Sequence, residues 1–493
     1  MPFLFTRSAA IDPVTGDKVL PLRLGDSSEV LPKISLDFTL CFDDVLDVDK
    51  LRSSLEHVAQ VGHWGQIGAR YKKNSKGKLE VHLPQQFDEG RPAVAWSHDN
   101  RQESINDNKI ARNLPGRVGV SQPTLYKDAS EYNSLVVSQD RPKKMSQWIE
   151  TDHPALSVHI TSFTDATLIS LSWNHVLFDA LGRQSLLDAW QAALNGRDQD
   201  IPACIAPEED PIARLAEGAD PREHYLYSLA LTGVWFALFV IGYIYELVMH
   251  SKESGRMVRF PKAWVDELRK DAIADLRAKG VAEDDAFLSH GDVLLSFWCK
   301  TCLAAQRLWP SQPVHVMNVM NIRGVARDLP LPGKTAYIGN AASSSDTLLT
   351  MAEIDNFTVG ELAARVRADL KKSRTLEQVK AKVAWDIENH VTGRQSAPPG
   401  PWNQHLFSWS NWSRAKFYNI DFSSAVIKSG LSAKDRASLV GQPSLILVSG
   451  HTDGINLRNA GPLIGQDANG DWWLDWHMRA EAWNEIEKMF ATG

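Results

Sequence analysis

Residues 167–194 read TLISLSWNHVLFDALGRQSLLDAWQAAL and form the clearest structural unit of the chain. In the first part, residues 167–173, apolar and polar residues alternate, which predicts a half-buried β-strand. In the last part, residues 180–194, apolar residues at 187, 190 and 194 are spaced for a helix that ends before Gly196. The stretch therefore predicts a strand, a tight turn and a helix.

The turn between them carries the pattern HxxxD, formed by His175 and Asp179. The pattern alone is weak, because about one match is expected by chance in a chain like this. Three apolar residues, Ile169, Leu171 and Trp173, precede the histidine on the same strand face, and this setting favours a neutral imidazole that can accept a proton. Two interpretations stay open for His175, a general base and a core histidine. Asp179 stands where a helix N-cap or an ion-pair member is expected.

Length and charge restrict the class of protein. The chain has 493 residues, of which 43% are apolar, and a formal net charge of -7. This length predicts two or three domains, with a cleft between halves as a natural place for chemistry. The 60 acidic residues outnumber the 53 Lys and Arg residues, so no basic excess is present to neutralise phosphates, and nucleic acid is not expected as a partner. We expect a small-molecule partner.

The cysteines and the first residues bear on the compartment. The four cysteines lie at positions 41, 204, 299 and 302, too few and too unevenly placed for a disulfide framework. Residues 1–7, MPFLFTR, lack the basic and apolar regions of a signal peptide. We therefore expect a cytoplasmic protein.

The chain reads as two α/β halves joined by an apolar connector. We place the N-terminal half at 1–215, the connector at 216–255 and the C-terminal half at 256–493. Strand-like and helical patterns occur in both halves, such as the strand at Ser35–Phe42 and the helix at Thr358–Ser373. By contrast, the polar, turn-rich stretch Ser97–Arg117 is typical of a surface loop.

The connector contains a run of 21 uncharged residues, Tyr225–Tyr245. This length could span a bilayer. We disfavour a span, however, because residues on both sides of the run are expected to build one site. The remaining interpretations of 225–249 are a helix that lies against the protein and peripheral contact with a membrane.

Other motifs give no support to competing chemistry. Cys299 and Cys302 form a CxxC without a second pair at zinc spacing, which favours core packing, and we expect no metal site. The sequence contains no GxGxxG after a strand, no GxxxxGK[ST] and no GxSxG. The nucleophile is therefore expected to come from the substrate.

Four ordered landmarks resemble one enzyme family. The first is His175 in HxxxD, and the second is Phe407–Trp412 followed by Phe417–Ser423, which is similar to a DFGWG region. The third is MNIR at 320–323 with YIGN at 337–340, and the fourth is the Ser-x-x-Asp helix start at Ser289. Together they resemble the BAHD-type acyl-CoA-dependent acyltransferases of plants and fungi. Asp421-Phe422 is followed by Ser-Ser-Ala instead of Gly-Trp-Gly, which indicates a divergent, fungal branch.

The resemblance implies a fold and a set of roles. The fold is two chloramphenicol-acetyltransferase-like α/β domains with a solvent channel between them. His175 would be the general base, Asp179 would pair with Arg323 away from the channel, and Asp421 would support the site. The residues implied in substrate binding are Phe407, Trp409 and Ser289. Acyl-CoA would be a cosubstrate without any bound cofactor, a small secondary metabolite with a hydroxyl or amine would be the acceptor, and the protein would be a monomer.

Two rival functions stay open. The first is condensation or cyclisation chemistry, which relatives of this fold perform on carrier proteins. Those relatives carry two adjacent histidines, whereas Asn174 stands before His175 here, which favours free CoA. The second is a non-catalytic, membrane-associated protein of the same fold.

Overall fold

The computed structural model describes residues 16–116, 119–283, 285–325, 335–394, 397–432 and 436–492. Residues 1–7, interpreted above as lacking a signal peptide, lie outside these ranges. The α-helices of the described residues are α1 Val48–Gln60, α2 Asn133–Val136, α3 Met145–Ile149, α4 Ala180–Leu194, α5 Pro211–Arg214, α6 Gly233–Met249, α7 Lys262–Ala278, α8 His290–Gln306, α9 Met351–Asn356, α10 Val359–Ser373, α11 Leu376–Thr392 and α12 Ala480–Thr492.

The β-strands follow the same chain order. They are β1 Lys18–Pro21, β2 Ile34–Phe42, β3 Asp44–Leu46, β4 Arg70–Lys73, β5 Leu79–Leu83, β6 Ala95–Asn100, β7 Thr124–Tyr126, β8 Leu156–Ser162, β9 Thr167–Asn174, β10 Ala203–Cys204, β11 Glu253–Phe260, β12 Pro313–Asn321, β13 Thr335–Ala336, β14 Ala342–Thr350, β15 His405–Asn411, β16 Val426–Ser429, β17 Pro443–Thr452, β18 Ala460–Gln466 and β19 Trp472–Arg479.

Two large sheets organise the chain. The five-stranded sheet has the order β17-β2-β9-β8-β6, and the seven-stranded sheet has the order β14-β12-β15-β18-β19-β11-β7. Each half contributes one strand to the large sheet of the other. The C-terminal strand β17 pairs antiparallel with β2, and the N-terminal strand β7 pairs antiparallel with β11. Two strands of the large sheets thus cross the boundary proposed between 1–215 and 256–493. The small sheets β16-β3 and β10-β13 also join residues from both sides, and these pairings tie the halves together.

The predicted strand, turn and helix at 167–194 is present. All eight residues of β9 are buried, because this strand lies inside the five-stranded sheet between β2 and β8. The prediction of a loop at Ser97–Arg117 is wrong at its start, since β6 continues to Asn100. This edge strand pairs parallel with β8 through its backbone. Because its side chains are polar, the sequence did not predict a strand here.

The apolar connector contains a helix that its neighbours cover only in part. After a single 3-10 turn at Tyr227–Leu229, α6 runs through 17 residues, and not one of them is buried. Among the described residues, every helix is too short or too polar to cross a membrane.

Candidate active site

The end of β9 delivers His175 to a tight turn that several polar contacts hold in place. The His175 backbone N–H donates to the Ile34 carbonyl at 2.9 Å, and the His175 carbonyl accepts from Asn340 Nδ2 at 3.0 Å. The helix after the turn packs closely on the other half, since a Cβ on Gly182 would lie 2.1 Å from the Ile338 carbonyl oxygen. The backbone of His175 is thus fixed at the junction of the two halves.

The His175 side chain is half-buried and lines a channel. Burial lowers the pKa of the imidazole below its ordinary 6.5, because the charged form loses hydration. Within the described part of the chain, its Nδ1 atom has no hydrogen-bond partner. The ring is therefore neutral near pH 7, the state that a general base requires.

Asp179 also lines the channel, but structural contacts hold its carboxylate. It caps α4 by accepting from the backbone N–H groups of Leu181 and Gly182 at 3.1 and 2.8 Å. It also forms a two-pronged ion pair with the Arg323 guanidinium at 2.8 and 2.9 Å. Burial raises the pKa of Asp179, but the Arg323 charge and these hydrogen bonds outweigh that effect and leave the pKa below its ordinary value. The carboxylate is thus ionised and fully occupied by structural contacts.

The channel is a cavity of about 1150 Å³ between the two halves. The N-terminal half contributes His175 and Trp173 to its wall, and the C-terminal half contributes Ser289, Asn318 and Ser408. A cavity of this size and mixed polarity suits an apolar ligand with a few hydrogen-bonding groups. Two substrates can meet beside the imidazole.

The predicted substrate-binding residues separate into two groups. Ser289 lines the channel, but its hydroxyl donates to the Asp292 carboxylate at 2.7 Å as the N-cap of α8. Trp409 also lines it, although the side chain is only 1% exposed and packs on Trp476.

Phe407 does not contact the channel in the part of the chain that the structure describes. Its ring is fully buried in the second core, 4.7 Å from the ring of Trp476. Because strand side chains alternate in direction, the neighbouring Ser408 and Ser410 face the channel instead. The expectation that Phe407 binds substrate does not agree with this position.

Asp421 lies away from the channel and joins its segment to α4. Its backbone N–H donates to Gln191 Oε1 at 2.7 Å, and its carboxylate accepts from the Ser423 N–H at 2.8 Å. The next residue, Phe422, packs its ring 5.0 Å from that of Trp190. The segment supports the helix that follows the HxxxD turn.

Sequence reasoning missed a caged arginine beside the site. The Arg183 guanidinium lies 3.8 Å from the ring centre of Phe38, 4.4 Å from that of Phe417 and 4.6 Å from that of Trp412. Burial lowers its pKa to about 9. Cation–π contacts of this kind stabilise a charge that lacks a carboxylate partner. Arg183 also lowers the pKa of His175, by charge repulsion.

A basic face of α10 was also missed. Arg367, Lys371 and Arg374, spaced four and three residues apart, line the channel together with Arg414. Arg367 donates to Asp292 at 2.8 Å, whereas the other three form no ion pair with any described residue. Burial and the nearby charge of Arg414 lower the pKa of Arg374. The spacing was visible in the sequence, but its direction toward a channel was not.

A second titratable pair lies on β19. The imidazole of His477 is 3.1 Å from the Asp475 carboxylate, and both residues line the channel. Burial opposes protonation of His477, but the hydrogen bond and charge of Asp475 prevail and raise its pKa to about 9. Near pH 7 this second imidazole is therefore charged and cannot act as a base.

The four cysteines are buried and unbridged. Within the described ranges, no group of three His, Cys, Asp or Glu side chains is arranged to hold a metal ion.

The known proteins that are similar to this chain support the family that the motifs indicate. The Transferase family model matches residues 125–426. The acetyltransferase adrJ of Penicillium roqueforti is 34% identical over 96% of this chain and 96% of its own length. The acetyltransferase sphE of Aspergillus fumigatus is 33% identical over 100% of this chain and 99% of its own.

A solved structure has the same fold. It is Fusarium sporotrichioides TRI101 complexed with coenzyme A and T-2, which has a TM-score of 0.69 at 14% identity and covers 96% of this chain and 98% of its own. This likeness confirms the predicted fold of two chloramphenicol-acetyltransferase-like α/β domains. The chain therefore belongs to the Transferase family, as a member of the BAHD-type acyl-CoA-dependent acyltransferases with fungal relatives.

Proposed function

We propose that the protein transfers an acyl group from acyl-CoA to a hydroxyl group of a small secondary metabolite, with His175 as the general base. The observation that carries this proposal is a half-buried imidazole on the wall of a channel that both halves line, where burial lowers its pKa. The relatives named acetyltransferase support the class of reaction.

The chemistry needs one base and no enzyme nucleophile. Because Nδ1 of His175 is buried, Nε2 is the nitrogen that takes the proton from the acceptor hydroxyl. The acceptor oxygen attacks the thioester carbonyl and forms a C–O bond and a tetrahedral oxyanion. When the oxyanion collapses, the C–S bond breaks, and the imidazolium returns its proton to the departing thiolate. The products are an ester and free CoA.

The basic side chains on the channel support CoA as the donor. Lys371, Arg374 and Arg414 have no acidic partner within the described ranges, so they can pair with phosphate groups. The nucleotide part of CoA carries such phosphates, and its pantetheine arm would reach from these residues toward His175.

The rival condensation chemistry finds less support. Asn174, which stands where carrier-dependent relatives have a first histidine, is fully buried and donates to the Pro32 carbonyl at 3.0 Å. It therefore faces the protein interior and adds no second base beside His175.

The acceptor class follows from the channel wall. Leu31, Met317 and Val319 provide apolar surface, whereas Asn318 and Thr452 provide hydrogen-bonding groups. We expect an apolar acceptor that carries a small number of hydroxyl groups.

Thiol release from an acyl-CoA and a hydroxylated acceptor tests the proposal. General base catalysis contributes about 10² to 10⁴ in rate, so His175→Ala should lose that factor in kcat while it keeps its thermal midpoint and its affinity for CoA. His98→Gln, which changes an exposed histidine on β6, is the matched control and should keep the wild-type rate. An unchanged rate in His175→Ala would refute the assignment of the base.

A further inference from the structure

The outer face of α6 has the opposite polarity to that of an ordinary surface helix. Its seven large exposed side chains are between 53% and 68% exposed, and all are apolar or aromatic: Val234, Trp235, Ile241, Ile244, Tyr245, Val248 and Met249. We call these seven residues the apolar ridge. A helix on a soluble protein normally directs its apolar side chains inward and its polar side chains toward water.

The inner face of the same helix carries its polar anchors. Glu246, the one charged residue of α6, forms a two-pronged ion pair with Arg479 at 2.7 and 2.6 Å. The Tyr243 hydroxyl donates to the Asn456 carbonyl. The helix is therefore fixed to the protein by polar contacts while its apolar side faces outward. This arrangement suits an apolar medium outside the protein.

Apolar side chains from neighbouring segments broaden the surface. Leu229, 42% exposed, precedes α6, and its carbonyl accepts from the Gly400 N–H at 2.9 Å. Trp402, 38% exposed, lies against the helix, since a Cβ on Gly242 would be 3.9 Å from its ring. The apolar ridge and these two side chains form one continuous exposed patch.

We infer that the apolar ridge docks this protein onto the surface of a lipid bilayer. The 17 residues of α6 reach about 25 Å, less than the roughly 30 Å of a hydrocarbon core, so the helix lies in the plane of the membrane. Trp235 near its start and Tyr245 near its end are aromatic residues of the kind that sit at headgroup depth.

The chemistry of the ridge favours lipid over a second copy of the chain. Protein interfaces carry about one hydrogen bond per 100–200 Å² and a polar rim. On the outward face of α6, the Trp235 indole N–H and the Tyr245 hydroxyl are the two side-chain hydrogen-bonding groups. Lipid tails need no such partners.

Docking also places the channel near the membrane. The Asn456 carbonyl accepts a hydrogen bond from the Tyr243 hydroxyl. The next residue, Leu457, lines the channel. An apolar acceptor dissolved in the bilayer would thus reach the channel directly. This consequence rests on the proposed function, whereas the docking itself does not.

Flotation of the purified full chain with phosphatidylcholine vesicles, with and without phosphatidylserine, tests the inference without any activity assay. Wild type should float with the vesicles. The triple variant Trp235→Gln, Ile241→Gln and Val248→Gln should lose at least about a hundredfold in partition coefficient, because three large apolar side chains no longer insert. The matched control changes three exposed apolar residues elsewhere, Trp309→Gln, Ile427→Gln and Leu439→Gln, and should float like wild type.

Two further measurements identify what covers the ridge. Quenching by brominated phosphatidylcholine should be weaker in Trp235→Phe than in wild type, since Trp235 would contact the acyl chains. Light scattering without vesicles reports the oligomeric state. A wild-type chain that stays at the bottom of the gradient, a triple variant that floats as well as wild type, or a dimer that the triple variant abolishes would each overturn the inference.

Discussion

The ion pair of Asp179 with Arg323 and that of Glu246 with Arg479 have similar geometry but serve different surroundings. The first lies between the two halves, where the side chains are 12% and 14% exposed and hold the turn that carries His175. The second joins the inner face of α6 to the rest of the protein, while the outer face of that helix is apolar and exposed. An inward ion pair can therefore stabilise either the interface between the two halves or the attachment of a helix whose outer face is apolar and exposed.

Removing Asp179 should have the largest effect on stability. Asp179→Ala leaves the partly buried Arg323 without its carboxylate partner and also removes the N-cap of α4, so we expect a loss of about 3–5 kcal/mol in the free energy of unfolding. Urea unfolding measures this loss. Asp179→Asn, which retains a capping oxygen, should lose less, and equal losses in the two variants would contradict the double role of this carboxylate.

Removing the basic face should have the next largest effect, on donor binding. The combined variant Lys371→Gln, Arg374→Gln and Arg414→Gln should raise KM for acyl-CoA by about ten- to a hundredfold, because each side chain loses a charge-assisted contact with phosphate. The N-acetylcysteamine thioester of the same acyl group lacks phosphates, so its KM should not change. A similar rise for both donors would show that the variant damages the channel and not the phosphate contacts.

Breaking the anchor of α6 should cost less than breaking the pair at the channel. In Glu246→Gln the side chain still accepts a hydrogen bond from Arg479, and Arg458 keeps its second partner Glu253, so we expect a loss of about 1–2 kcal/mol. Hydrogen exchange should increase in α6 and stay at wild-type levels in α4. A loss as large as that of Asp179→Ala would remove the distinction between the two ion pairs.

The smallest effect is expected at Asp421. This carboxylate accepts one backbone hydrogen bond, from Ser423, so Asp421→Ala should cost about 0.5–1.5 kcal/mol and leave kcat unchanged. Thermal unfolding and the thiol-release rate measure the two quantities. A tenfold fall in kcat would indicate that the segment acts on the site and not on the scaffold.

The parts of the fold that could be predicted depend on local sequence. The β9–α4 unit follows from alternation and from the Asp179 cap, and the Ser289 cap at α8 is equally local. The exchange of β17 and β7 between sheets could not be predicted, because it depends on pairing between residues more than a hundred positions apart.

The same limit applies to the site. The HxxxD motif indicated His175 and, through the family resemblance, the pair of Asp179 with Arg323. It could not indicate that Phe407 faces the core, because the direction of an alternating strand is set by which face is covered. The aromatic cage of Arg183 brings together residues from three separate segments of the chain, so no local pattern in the sequence predicts it.

The pH dependence of kcat/KM tests the central claim, a neutral channel imidazole that acts as a base, most directly. Burial and the nearby charge of Arg183 lower the pKa of His175, and Asp179 opposes this shift, so the protonated, inactive form should dominate only below pH 6.5. Wild-type kcat/KM should rise with pH through a value below 6.5 and then level off, until His477, whose pKa is about 9, begins to titrate. In His175→Ala the acidic limb should disappear. An acidic limb centred above pH 6.5 in wild type, or one that persists in His175→Ala, would contradict the account.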